Sequence, residues 1–189
     1  MTDRKLISFM VVTLDGFYAG PNDEFDWPNV DDDFNDFAIS QINDIGTLLF
    51  GRATYEGMAA YWPTPEAVET DPAVAGLMNG IDKVVFSNTL TSADWQNSTL
   101  VAGDAAKAIK ELKQQPGKHL ALFGSPTLTA SLLEAGLVDE VRVMVNPILL
   151  GGGKSLYQGL AKRIPLALRW SIAFRSGNVL LCYEPAAGR

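Results

Sequence analysis

Three short stretches join a glycine or small polar residue to groups that can hold an anion. Gly51-Arg52-Ala53-Thr54 offers a glycine for close backbone approach, a guanidinium able to grip a phosphate through two parallel bonds, and a hydroxyl. Ser87-Asn88 and Gly124-Ser125 offer hydroxyl, amide and backbone N–H groups. Each follows a short apolar run (TLLF, KVVF and LALF), so each reads as the carboxyl end of a strand. Open α/β sheets bind ligands there, where the next helix points its free N–H groups outward. One such stretch is what any strand-to-helix turn requires. Three in one sheet describe an extended, phosphate-bearing ligand laid across several strand ends, without the G-x-G-x-x-G of a Rossmann fold. A fourth stretch, PILLGGGKS (Pro147 to Ser155), ends like a phosphate-binding P-loop. That loop needs a further glycine where this chain has Ile148, a β-branched residue that resists positive φ. The glycines of this stretch serve something else.

Composition narrows the partners. The chain has 189 residues, 47% hydrophobic and 20% charged, which fits one soluble globular domain spanning 1–189. A formal net charge of −7 repels nucleic acid and anionic membrane surfaces, while leaving room for an anionic cofactor in a local pocket. One cysteine, Cys182, and one histidine, His119, exclude an internal disulfide and any two-histidine metal motif. Leu6 to Val12 is too short for a secretory signal and lacks a cleavage site, and no run approaches the ~18 apolar residues of a membrane span. A cytoplasmic protein without metal is expected.

The elements that must position these groups alternate along the chain. Strands are expected at 6–12, 47–50, 83–87, 119–123, 141–145 and 178–183, mostly as unbroken apolar runs of the kind covered on both faces. A helix is expected from Asp31, with Phe34, Phe37, Ala38, Ile42 and Ile45 on one face and Gly46 as its stop. Asp71-Pro72 opens a helix running to residue 80, and Asp104 opens another that ends at Pro116-Gly117. Ser125-Pro126 caps a helix stopped by Gly136. Alternation of strand and helix predicts a three-layer α/β domain with a mixed, mostly parallel central sheet. The final runs, joined through Ser176-Gly177-Asn178, add an antiparallel C-terminal hairpin. His119 reads as a solvated strand-end residue, Cys182 as core, and Tyr61-Trp62-Pro63 as an aromatic loop packed on its own domain.

VVTLDGFYAGPNDEFDW, LLFGRATYE, KVVFSNTL and LALFGSPTLTASLLEAGLVDEVRVMVNPILLGGGKSL, in that order, resemble the dihydrofolate reductase-like family. They are most similar to the reductase domain of the bifunctional riboflavin-biosynthesis deaminase/reductase. The likeness runs from about Lys5 to Tyr183, and Gly151–Gly153 resemble a post-strand loop of that domain. The resemblance implies a homodimeric, NADPH-dependent reductase of a pterin- or pyrimidine-like substrate, of the 5-amino-6-(5-phosphoribosylamino)uracil reductase type.

Carried over position by position, the resemblance gives Gly51, Arg52 and Thr54 the cofactor phosphates, and Ser87 and Asn88 the adenosine side. It sets Gly124 and Ser125 against the pyrophosphate, Val11, Tyr18 and Ala19 around the nicotinamide, and Phe123 between cofactor and substrate. Asp15-Gly16 turns the first loop over the site. Dihydrofolate reductases place a substrate-binding acid five residues after a tryptophan, the separation of Trp27 and Asp32 here. Asp32 is then the catalytic acid, with Asp31 and Asp33 as rivals in a triplet that equally suits a helix start. The position that often grips the 2′-phosphate is close to Thr127, so NADPH preference falls to Arg52. Lys154 is the one basic residue near the glycine loop that a ribose phosphate could meet. The alternative is a nucleotide-binding protein on the same fold without turnover.

Overall fold

The computed structural model describes residues 4–186. In chain order the first half comprises β1 (Leu6–Thr13), β2 (Phe17–Ala19), α1 (Asp32–Asn43), β3 (Ile45–Gly51), α2 (Arg52–Tyr61), α3 (Pro65–Thr70), α4 (Pro72–Gly80) and β4 (Asp82–Phe86). The second comprises β5 (Ser98–Val101), α5 (Ala105–Gln114), β6 (His119–Phe123), α6 (Pro126–Glu134), β7 (Glu140–Asn146), β8 (Lys154–Ser155), β9 (Leu166–Ala173) and β10 (Val179–Pro185). Eight strands form one sheet in the order β5-β4-β3-β6-β1-β7-β10-β9. The six from β5 to β7 are parallel, so all their carboxyl ends reach one margin. The pairs β7–β10 and β10–β9 are antiparallel, as expected for a C-terminal hairpin.

The unbroken apolar runs are explained by cover on both faces. Leu48, Leu49 and Phe50 of β3 are fully buried. One face packs Ile42 of α1, Tyr55 of α2, and Val74 and Met78 of α4 around Phe50 and Trp95. The other packs Ile109 of α5 and Leu132 and Leu133 of α6 around Leu6, Leu49 and Leu122. Three layers follow, with two cores on opposite sides of one sheet.

Local signals place most helix starts. Asp31, Asp71 and Asp104 cap α1, α4 and α5 through side-chain oxygens that accept the N–H of Phe34, Val74 and Lys107. Three expectations need correction. Gly46 does not stop α1: the helix closes at Asp44, whose N–H bonds the Gln41 and Ile42 carbonyls. Gly46 lies inside β3, where a Cβ would come within 3.2 Å of the Lys118 Cβ, so the glycine serves close packing of chain on chain. Ser125 stands at the start of α6 with φ +52 and makes no capping bond; its hydroxyl works elsewhere. His119 is not simply solvated, because its Nδ1 accepts the Lys5 N–H at 3.2 Å and helps hold the start of β1 against β6. Cys182 is buried as expected, and desolvation pushes its thiol up to about 12. Tyr61 and Trp62 stack edge-on on each other at 5.1 Å, and Trp62 Nε1 donates to the Met58 sulfur. Strands β2, β5 and β8 and helix α3 were carried by no sequence pattern.

Candidate functional site

Two strand-to-helix turns are stitched together at the carboxyl margin. The Gly51 N–H, leaving β3, donates to Ser125 Oγ at 2.9 Å, and the Ser125 N–H donates to Thr54 Oγ1 of α2 at 2.9 Å. Gly124 has φ +59, and a Cβ on it would lie 2.9 Å from the Thr54 methyl. Only glycine fits a turn that is both left-handed and this close to its neighbour. Ser125 follows in the same left-handed region, an uncommon conformation for a residue with a side chain. The two bonds to Gly51 and Thr54 compensate it. Thr129 Oγ1 donates back to the Gly124 carbonyl at 3.2 Å.

These bonds consume the N–H groups of Gly51 and Ser125, leaving those of the helices themselves. Among the six helices of the described residues, α1, α3, α4 and α5 are capped by a side chain at their N-termini. Helices α2 and α6 are not, and they spring from adjacent strands. Two uncapped, positively polarised ends sit side by side. Arg52, the first residue of α2, is half-exposed and pairs with Glu56 at 3.2 Å, a contact an anion can displace at small cost.

Ser87 and Asn88 extend the same margin beyond β4, since Gly51 is in register with Phe86. Ser87 Oγ accepts the N–H groups of Thr89 and Leu90, and Asn88 Oδ1 accepts the Gly103 N–H at 2.7 Å. Both side chains shape the turn, and Asn88 is exposed. Gly51, Arg52, Thr54, Ser87, Asn88, Gly124 and Ser125 therefore lie along one continuous edge.

Beyond β6 the margin continues through β1 and β7. Phe123 is buried against Phe9, ring centroids 5.4 Å apart, so its side chain belongs to the core beneath the margin. Val11, in register with Met144, is half-buried on the same side. Past Thr13 the chain turns at Gly16 and runs as β2, which pairs antiparallel with β8 and carries Tyr18 and Ala19. The glycine loop finds its use here. Asp15 accepts the N–H groups of Leu150 and Gly151 at 3.2 and 2.8 Å, and Thr13 Oγ1 donates to it at 2.6 Å. The Thr13 hydroxyl first, then the Gly151 N–H, hold its carboxyl below the ordinary range. Gly153 has φ +155, and a Cβ there would run into the Ala19 carbonyl. The triple glycine thus seats one loop on another.

The segment from β2 to α1 closes this half. Asn29 N–H donates to Asn146 Oδ1 at 2.7 Å, Asn29 Nδ2 to the Ser176 carbonyl at 3.1 Å, and Asn178 Nδ2 to the Asn29 carbonyl at 2.6 Å. Trp27 packs edge-on against Phe25 at 5.4 Å, and its indole N–H is buried without a partner. The acidic triplet divides its tasks. Asp31 caps α1, and Asp33 takes a two-pronged grip from Arg175 at 2.6 and 2.9 Å, which lowers its carboxyl pKa and raises that of the guanidinium. Asp32 is exposed, and among the described residues its side chain has no hydrogen-bond or ion-pair partner. Asn146, Asn178 and Arg175 were not among the expected site residues. Asn146 ends the apolar run VRVMV, the signal that marks Ser87 and Gly124; nothing local in sequence marks the other two.

Residues 4–180 match the RibD C-terminal domain family. The uncharacterized protein YyaP of Bacillus subtilis (strain 168) is 35% identical over 186 residues, covering 97% of this chain and 96% of its own. A putative riboflavin biosynthesis protein from Shewanella sp. PV-4 superposes with a TM-score of 0.75 at 23% identity, over 97% of this chain and 99% of that one. The dihydrofolate reductase of Enterococcus faecalis, solved with NADP(H), superposes at 0.62 with 13% identity over 97% of each chain. The fold is dihydrofolate reductase-like.

Proposed function

The chain belongs to the RibD C-terminal domain family, and from that premise we propose an NADPH-dependent reductase of a pterin- or pyrimidine-like heterocycle, acting as a cytoplasmic homodimer. The carrying observation is the adjacent pair of helix N-termini, α2 and α6, that lack side-chain caps while every other described helix has one. Free N–H groups on polarised helix ends favour phosphate. Gly124, where a Cβ would strike the Thr54 methyl, lets the two turns pack this closely. These features fit a dinucleotide pyrophosphate, with Arg52 beside it to pair with a 2′-phosphate and Ser87 and Asn88 along the adenosine side.

When bound, NADPH supplies the hydride. The chain's own work is to orient the two rings and keep water from the transfer. Val11, Tyr18 and Ala19 border the nicotinamide, and Trp27 flanks the substrate side, with Phe123 in the core beneath it. Asp32 hands a proton to the substrate nitrogen, because Asp31 is spent on capping and Asp33 on Arg175.

Titration of NADPH and NADH against wild type and Arg52→Ala tests the reading. The substitution is expected to weaken NADPH by about 1.5–3 kcal/mol, tenfold or more, and NADH far less. Equal losses remove Arg52 from the 2′-phosphate. Asp32→Asn is expected to lower turnover, followed by loss of reduced-nicotinamide absorbance over a heterocycle panel, and to leave NADPH affinity unchanged. Undiminished turnover assigns the proton to another group.

A further inference from the structure

Five hydrogen bonds reach the start of α1 from one hairpin turn. Arg175 grips the Asp33 carboxylate through Nε and Nη2 at 2.9 and 2.6 Å, and its own backbone N–H adds a third bond at 3.3 Å. The Ser176 carbonyl accepts from Asn29 Nδ2, and Asn178 Nδ2 donates to the Asn29 carbonyl. A further bond, from the Asn29 N–H to Asn146 Oδ1, ties the same stretch to the end of β7. The turn that supplies these groups is itself fixed. The Phe174 carbonyl accepts the Gly177 N–H, and the Phe174 N–H donates to the Asn178 carbonyl. Gly177 has φ +89 and lies so near Pro147 that a Cβ on it would come within 3.3 Å of the proline ring. Phe174 also packs edge-on against Phe37 of α1, ring centroids 6.2 Å apart.

The helix does not need this tether in order to start. Asp31 already caps α1, as Asp71 and Asp104 cap α4 and α5. Nor does an ion pair with an arginine side chain 84% exposed add much stability. What the bonds fix is place. Asn29, Asp31 and Asp33 are each bonded, and Asp32 stands between two of them with its carboxyl unpartnered among the described residues. Its backbone is held from both sides while its side chain stays free to act. Arg175 also keeps its charge, because Asp33 first, and after it Asp31 and Asp32, raise its pKa. Such care over position suits a group that must meet a reacting atom, where a shift of about 1 Å can cost about a hundredfold in rate.

We propose that Arg175 is a positioning residue of the reductase: through Asp33 it sets where Asp32 stands on the substrate side. The inference rests on the reductase reading and on Asp32 as its acid.

The test compares wild type, Arg175→Met, Asp32→Asn and the double variant in NADPH oxidation with dihydrofolate and with 5-amino-6-(5-phosphoribosylamino)uracil. Arg175→Met is expected to lower kcat at least fivefold and to leave the Kd for NADPH within twofold, because Gly51, Arg52 and Gly124 lie on the other half of the margin. In the Asp32→Asn background the same substitution is expected to change kcat less than twofold, since the tether then has no acid to place. Hydrogen exchange, read without substrate, is expected to quicken at least threefold at the Asn29, Phe34 and Asn35 amides of Arg175→Met and to stay unchanged in α4. A smaller loss of kcat overturns the proposal, and so does an equal loss in both backgrounds. Full turnover by Asp32→Asn, or none by wild type, defeats the acid or the reductase reading and the role of Arg175 with it. Unchanged exchange defeats the tether alone.

Discussion

Lys83 lies on β4 at 1% exposure, without an ion-pair partner among the described residues. Its ammonium donates to the carbonyls of Asn79, Ile81 and Gln96 at 3.2, 2.7 and 3.1 Å and sits 4.3 Å above the Trp95 ring. Burial pushes its pKa down to about 8, against the weaker pull of Asp82. A lysine whose folded pKa is depressed gives up its proton first in the folded state. The unfolded chain therefore binds more protons between about pH 8 and pH 10.5, and stability rises with pH across that window. By linkage the gain reaches ~3 kcal/mol at most, and the three carbonyl bonds, which favour the ammonium, reduce it. Urea unfolding at pH 7.5 and pH 10 is expected to show this gain in wild type and not in Lys83→Met; an equal response in both removes Lys83 as its source. At this scale sequence pattern separates poorly among like residues. Asp31, Asp32 and Asp33 are equivalent in sequence, and their division into cap, free acid and Arg175 partner depends on a hairpin more than 140 residues away.

The glycine loop and β2 work as one element. Gly153→Ala is expected to cost more than ~1 kcal/mol, since its φ of +155 and the Ala19 carbonyl both oppose a Cβ. Gly152→Ala, with open space around it, is expected to stay within ~0.5 kcal/mol. Denaturant midpoints of the two variants check this, and equal losses would show that the β2–β8 contact does not depend on Gly153. Helix starts marked by Asp31, Asp71 and Asp104 were legible because a cap is a local event, one oxygen and one N–H three residues on. Gly46 and Ser125 were misleading for the same reason. Each carries a residue type that signals a helix end, and each answers instead to a contact distant in sequence, Lys118 for one and Gly51 for the other. The two-residue β8 and three-residue β2 are too short to carry a period at all.

Over the whole molecule, sequence gave the class and the parallel run of strands but not their order, because apolar runs do not name their neighbours. β6 entering between β3 and β1 is what brings Gly124 beside Gly51. At the far edge, all eight residues of β9 are exposed, with Leu166, Leu168, Trp170 and Ile172 among them. Its one charge, Arg169, is paired with Glu184. A long, apolar edge with unpaired backbone groups is a site for strand addition, and the proposed homodimer would form there by antiparallel pairing with a second copy about a two-fold axis. Light scattering is expected to give about twice the 20.4 kDa chain mass, and Trp170→Glu/Ile172→Glu a monomer that still binds NADPH. A wild-type monomer excludes the homodimer.

The buried Cys182 has a practical corollary. It sits on β10 between β9 and the parallel strand β7, at register with both Arg142 and Trp170, and it is the chain's sole thiol. An alkylating reagent can reach it only when those strands part, so its labelling rate is an intrinsic clock for opening of the sheet, readable by mass without any added probe.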